Sequence, residues 1–199
     1  SVALTDLNGT ILRTAPVTVD LSAPGDTAIT TAARALGALL RDGDPELAAV
    51  GVGIPGPVEH ALGRPVAPPM MPHWHNLDIP AIINAELHAP ALVDNDVNLL
   101  ALAERSLTMP DEDNIFYLKV ATGIGAGIIA GGVLQRGWRG SAGDFGHVRV
   151  PHSPAFPRDA DDDRDLEALA AGPAIVAQLV ANGVDAATTA EAARPIRGG

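Results

Sequence analysis

Apolar runs of strand length alternate with segments of helical periodicity along this 199-residue chain, and the sequence predicts an α/β fold. Three observations carry that expectation. Residues 47–53 and 115–120 are short apolar runs bounded by turn residues, as buried strands are. Ile29, Ala33, Leu36 and Leu40 recur at helical spacing, with Asp26 placed for the first turn. Closely spaced glycines end or follow both apolar runs, Gly51, Gly53 and Gly56 in one case and Gly123, Gly125 and Gly127 in the other.

The elements follow in order. Residues 1–6 open mid-strand, and Asn8-Gly9 is a hairpin turn into a strand over 10–19. A helix is predicted over 24–40 and a buried strand over 47–53. Residues 56–76 are rich in proline and too long for a connector, which predicts a functional loop. A helix over 79–88, a strand over 91–94 and a helix over 98–105 come next. Residues 109–113, with Pro110 and three acids, read as a link between an N-terminal lobe (1–108) and the start of a C-terminal lobe (114–199). Strands run on to Val150, an acidic loop follows, and helices are predicted over 166–181 and 190–194. There is no internal repeat.

Composition narrows the function classes. With 47% apolar and 19% charged residues the chain can bury a core, and with 3% aromatics that core is built from Ala, Val, Leu and Ile. The absence of cysteine excludes disulfides and thiolate metal sites. No apolar run is long enough to span a membrane and no signal peptide is visible, which predicts a cytoplasmic protein with no membrane partner. A net charge of −11 with scattered Lys and Arg argues against this segment gripping nucleic acid.

The most informative motif is Val120-Ala-Thr-Gly-Ile-Gly-Ala-Gly-Ile-Ile129, followed by Gly143-Asp-Phe-Gly-His147. Glycines after a strand expose backbone N–H groups, so Thr122, Gly123 and Gly125 are candidate phosphate contacts. The alternative reading of the same residues is a β-hairpin rich in turn glycines. Asp144 and His147 add a carboxylate and an imidazole suited to a polyhydroxylated ligand. Gly51-Val-Gly-Ile-Pro-Gly56 matches a dinucleotide fingerprint literally, but Pro55 and Pro57 forbid the helix that would hold a pyrophosphate. Asp159, Asp161 and Asp163 alternate like the start of a calcium loop, yet Arg164 and Ala170 occupy the positions that need Gly and Glu. His73 and His75 read as loop residues, Trp74 and Trp138 as packing anchors, and Met70-Met71 as loop packing.

Four segments in order resemble the ROK family of repressors, open reading frames and sugar kinases: Gly51-Val-Gly-Ile-Pro-Gly-Pro-Val58, Val93-Asp-Asn-Asp-Val-Asn98 and the residues after it, Thr122-Gly-Ile-Gly-Ala-Gly127, and Ala142-Gly-Asp-Phe-Gly-His147. Leu166-Glu167 and the residues after it continue the match. The resemblance implies an actin-like, ribonuclease-H-like fold of two lobes, apparently incomplete at both ends, with a sugar between the lobes. It implies that Asn95, Asp96, Asp144, His147 and Glu167 bind sugar hydroxyls. In a kinase, Asp96 would also be the general base toward the phosphorylated hydroxyl. For Asn95 and Asp96 the competing reading is a helix cap. A homo-oligomer, specifically a dimer, is also implied.

Departures from the family pattern steer the reading. The Asp-x-Gly-Gly-Thr phosphate strand of kinase members is expected just before Ser1, and their adenosine-binding glycines beyond Gly199. Ala121 stands where the family has Gly, and Asp144 resembles the repressor branch. The family's zinc cysteines fall on Arg158, Ala160 and Asp165, with Asp161 and Arg164 in place of two glycines, so His147, the usual fourth ligand, lacks thiolate partners and no metal is expected. The sequence therefore reads as the sugar-binding portion of a transcriptional repressor that meets DNA only through a helix-turn-helix domain outside this chain, with no cofactor of its own. The alternative is an Mg-ATP-dependent sugar kinase, and a third class is a non-binding scaffold lobe used for dimerisation.

Overall fold

The computed structural model describes residues 1–68, 71–151 and 164–184. The expected acidic loop, with Arg158, Asp159, Ala160, Asp161 and Asp163, and the expected helix over 190–194 lie outside the described residues, as does Met70. The chain forms two compact units that divide inside a helix, between Leu99 and Leu100; residues 137–141 belong with the first unit and 142 onward with the second.

In the first unit, β1 (Val2–Thr5) and β2 (Ile11–Ala15) pair antiparallel. Their turn is built locally. The Asp6 carboxylate accepts the N–H groups of Asn8 and Thr10, both at 2.9 Å, and Gly9 takes φ 83°. Helix α1 (Gly25–Gly37) buries Ala28, Ile29, Ala33 and Leu36. It ends three residues short of the expected Leu40, which is only half-buried. Strand β3 (Val50–Ile54) ends at the proline pair, and the chain turns into β4 (Val58–Glu59) with no helix between. The fingerprint match there is not a dinucleotide turn.

The described parts of this segment, residues 56–68 and 71–76, are not an open loop. β4 pairs with β5 (Arg64–Pro65), and a 3-10 turn at Pro72–Trp74 follows. Met71 and Trp74 are fully buried there among Ile29, Ile79, Ile83 and Val93, and deleting an aromatic so placed costs about 3–5 kcal/mol. The apolar anchors outweigh the preference of proline for open loops. His73 and His75 are spent on backbone groups, at 2.8 Å from the Ala23 carbonyl and 3.0 Å from the Ala67 N–H. Helix α2 (Ile79–Leu87) packs on α1 and leads through His88, at φ 53°, into β6 (Ala91–Asn95). β6 runs parallel to β3, from Val50 opposite Ala91 to Ile54 opposite Asn95. Trp138, expected as an anchor, is 83% exposed instead, with the Arg139 guanidinium 5.8 Å over its ring. It lies in a turn between Gly137 and Gly140, where none of the described residues covers it with apolar surface.

Helix α3 (Asp96–Leu107) contributes its last eight residues to the second unit. Residues 109–113, expected as a link, form a turn there. Arg105 holds it through the Glu112 carbonyl and the Asp113 carboxylate, both at 3.1 Å. β7 (Ile115–Val120), β8 (Ile124–Ala130) and β9 (Val133–Leu134) form an antiparallel meander, with Lys119 opposite Gly125 and Tyr117 opposite Gly127. Ala101, Ile129 and Leu134 make a small core beneath it. The single helix expected over 166–181 is two, α4 (Leu166–Ala170) and α5 (Gly172–Ala181). Pro173 explains the break. Inside one continuous helix its ring would strike the Leu169 carbonyl, whereas at the start of a new helix it costs nothing.

Asp78 caps α2, accepting the Ala81 N–H at 3.1 Å and pairing with Arg64 at 2.5 Å. Asp78→Ala should lower stability by about 1 kcal/mol, with Asp78→Asn close to wild type. The Ala81 N–H bond first, then Arg64, holds the Asp78 carboxyl below its usual 3.8. A depressed acid stabilises above its unfolded value and loses that contribution as pH falls through the folded value. Chemical denaturation should therefore show the wild type–Asp78→Ala gap in full at pH 7 and shrinking below 3.8.

Candidate functional site

The predicted site residues fall into two groups, each within its own unit. In the first unit the β6–α3 junction holds Asn95 and Asp96 at the carboxyl end of a parallel strand pair, the end where α/β folds meet ligands. Asn95 is the cap. Its Oδ1 accepts the N–H groups of Val97 at 2.8 Å and Asn98 at 3.3 Å, while its Nδ2 donates to the Gly56 carbonyl at 2.8 Å. Among the described residues, one amide hydrogen is left for a ligand. Asp96 opens α3 and is half-buried.

Three neighbours escaped the sequence reading. Asp94 is buried and accepts the Asn95 N–H and the Asn98 side-chain amide, both at 2.8 Å. His60 places Nδ1 3.0 Å from the Val93 carbonyl and 3.4 Å from the Asp94 carboxylate. The i,i+4 spacing of Asp94 and Asn98 is a weak signal of that pairing; nothing near His60 in the sequence announces it.

In the second unit Glu167 organises the other group. The Thr122-Gly123 segment is the turn of the β7–β8 hairpin, while Gly125 lies within β8. At that turn the Ile124 N–H donates to Glu167 Oε2 at 2.8 Å. The carboxylate lies so close that a Cβ on Gly123 would stand 2.6 Å from Oε2. Nearby, Gly143 has φ +86°, and a Cβ there would come within 1.8 Å of the Ala126 carbonyl oxygen. Glycine alone permits this approach, which lets the Ala126 N–H donate to the Gly143 carbonyl at 2.7 Å. Asp144 and the 3-10 turn Phe145–His147 are thereby held beside β8, with the Phe145 ring edge-on to Phe116 at 5.3 Å between centroids.

The structure brings Asp144, His147 and Glu167 together and adds Asp165. His147 Nδ1 lies 3.0 Å from Asp165 Oδ2, and its Nε2 lies 3.8 Å from Asp144 Oδ1, a charge contact too long for a hydrogen bond. The Asp165 bond, followed by the charges of Asp144 and Glu167, raises the His147 imidazole above 6.5 against the opposing effect of burial. The Ala168 N–H and then His147 lower the Asp165 carboxyl below 3.8. Burial raises the Asp144 carboxyl above 3.8, helped by Glu167 and Asp165 and opposed by His147, although more than a third of its side chain is exposed. The raised imidazole stabilises in full below 6.5 and loses this as pH rises through its folded value, while Asp165 loses its share as pH falls through its own. The pair is complete only between those two values. Three carboxylates and one imidazole gather several acceptors for hydroxyl groups in one place.

The chain has no cysteine, and Asp165, at one cysteine position of the family pattern, turns one oxygen to the His147 ring and the other to the Ala168 N–H at 2.8 Å. Among the described residues no three His, Cys, Asp or Glu side chains are arranged to hold a metal, and no helix is long and apolar enough to cross a membrane.

Comparison with known proteins assigns the class first. A ROK family glucokinase from Streptomyces griseus, solved in complex with glucose and AMPPNP, superposes with a TM-score of 0.71 at 29% identity, covering 91% of this chain and 57% of that one. The fold is that of the actin-like sugar kinases and regulators. The ROK family model matches residues 1–194, and the chain belongs to the ROK family. Its relatives divide between regulators and enzymes. A xylose repressor of Caldicellulosiruptor bescii is 33% identical over 102 residues, 51% of this chain and 25% of its own length. A glucokinase of Halalkalibacterium halodurans is 30% identical over 140 residues, 70% of this chain and 42% of its own length. The chain thus spans less than half the length of these curated relatives.

Glu167→Ala would leave the buried Ile124 N–H without an acceptor. Denaturant unfolding should show a loss of about 1–3 kcal/mol, with most of it restored in Glu167→Gln, whose amide oxygen can still accept. Equal losses in both variants would show that the N–H bond is not what Glu167 contributes.

Proposed function

We propose that this chain is the sugar-binding portion of a ROK-family transcriptional regulator. The observation that carries the reading is the cluster of Asp144, His147 and Glu167, with an imidazole and several carboxylates gathered beside one glycine-flanked turn. The family motif gives Asn95 and Asp96, in the first unit, the same role. A regulator rather than a kinase is favoured at the Ala121–Gly123 turn. Ala121 replaces a glycine there, and Glu167 already occupies the Ile124 N–H, so an approaching phosphate would meet a carboxylate. The xylose repressors among the relatives agree with this reading. DNA contact belongs, in this reading, to a helix-turn-helix outside residues 1–199, and the protein works as a homodimer.

The kinase reading draws support from the glucokinase relative and from Asp96 at a strand end, where a base could accept a hydroxyl proton. Calorimetry of the full-length protein against hexoses, N-acetylhexosamines and xylose separates the two, together with a coupled assay in Mg-ATP. One sugar should bind, and Asp96→Asn and Asp144→Ala should each weaken it by about 1.5–3 kcal/mol, roughly ten- to a hundred-fold. No turnover should be detected. Sustained phosphorylation that vanishes in Asp96→Asn would replace the regulator reading with the kinase.

The same reading has no zinc in it. Protein purified through a chelator should contain no stoichiometric zinc by elemental analysis and should keep its melting temperature, because His147 with oxygen ligands alone would hold the ion weakly. Retained zinc would show that ligands other than cysteine hold the ion and would end the zinc-free reading.

A further inference from the structure

We propose that Asp165 is the positioning residue of the sugar site, holding the His147 ring in one tautomer and, with its other oxygen, setting the helix that carries Glu167. The inference rests on the sugar-binding reading for its functional consequence, but not for its geometry. Asp165 Oδ2 faces His147 Nδ1 at 3.0 Å and Oδ1 accepts the Ala168 N–H at 2.8 Å, so one carboxylate serves two partners that both need an acceptor. The backbone fixes its place. Arg149 and Asp165 form a β-bridge, and the Leu166 N–H donates to the Val148 carbonyl at 2.9 Å. The residues next to His147 and next to Glu167 are therefore tied to each other.

The chemical consequence follows from the acceptor. A carboxylate at Nδ1 requires the proton there, so in the neutral ring Nε2 keeps its lone pair. That nitrogen is the one turned toward Asp144, at 3.8 Å from Oδ1. Among the described residues, Asp144, Asp165 and Glu167 are the charged groups that act on the ring. Neighbouring hydroxyls of one sugar could donate to Nε2 and to the Asp144 carboxylate in parallel, a geometry that a freely turning ring would seldom offer.

Asp165→Ser separates orientation from folding, since serine is also a good helix cap but cannot reach His147. Nitrogen-15 spectra of histidine-labelled full-length protein, at a pH where the ring is neutral, with His147→Ala to assign the signal, read the tautomer directly. The wild type should show the proton on Nδ1. In Asp165→Ser the signal should move toward the Nε2–H form with the melting temperature little changed. Calorimetry with the sugar found by the panel should give at least a tenfold weaker affinity in Asp165→Ser, and no further loss when that change is added to His147→Ala. Wild-type protein with the proton on Nε2, or Asp165→Ser with unaltered affinity, would overturn the proposal. If no sugar binds the wild type, the binding reading fails, and the two spectra alone decide: a moved proton upholds the positioning role and an unmoved one ends it.

Discussion

The contact on which the second unit depends is the bond from the Ile124 N–H to Glu167. A hairpin turn of Ala121, Thr122 and Gly123 has little side-chain material with which to hold its shape. Glu167 supplies an acceptor from 43 residues away, and Gly172 supplies a donor, its N–H bonding the Ala121 carbonyl at 2.7 Å. The turn is thus clamped on both its polar ends by the α4–α5 segment. Glycine at 123 and at 146 is what lets the carboxylate come so close, since a Cβ at Gly146 would stand 2.8 Å from the same oxygen.

A second regularity is that the polar side chains suited to a ligand are also structural. Asn95 caps α3 and straps the Gly56 carbonyl, Asp165 caps α4 and orients His147, and Glu167 closes the hairpin turn. Side chains with two bonding ends can anchor themselves with one and present the rest. Such anchoring removes rotamer freedom before any ligand arrives, and that is the usual source of affinity in a preorganised site.

Electrostatics runs through the same residues. In a chain of net charge −11 the three acids around His147 raise its basicity, and the imidazole in turn favours the charged form of Asp165. Asp144 differs because burial outweighs the attraction of His147. Two carboxylates near one ring thus sit in different environments, and what sets them apart is packing and hydrogen bonding, not residue type.

The α/β class, the hairpin at Asn8-Gly9, the apolar face of α1 and the strand nature of 50–54, 91–95 and 115–120 were all legible in the sequence, because periodicity and turn chemistry act over a few residues. The ordered motifs were enough to place the chain in its family. Four features were decided only by tertiary structure. Residues 71–76 folded onto the core because Met71 and Trp74 found apolar partners far along the chain, and Trp138 stayed exposed because it found none among the described residues. His60 joined Asp94 across 34 positions, and Asp165 joined His147 across 18. A cap at Asp165 could be read from its neighbours, but its second bond could not. Local pattern determines which element a residue belongs to, whereas the partner of a buried or bifunctional polar group depends on which distant backbone the packing brings within three ångströms.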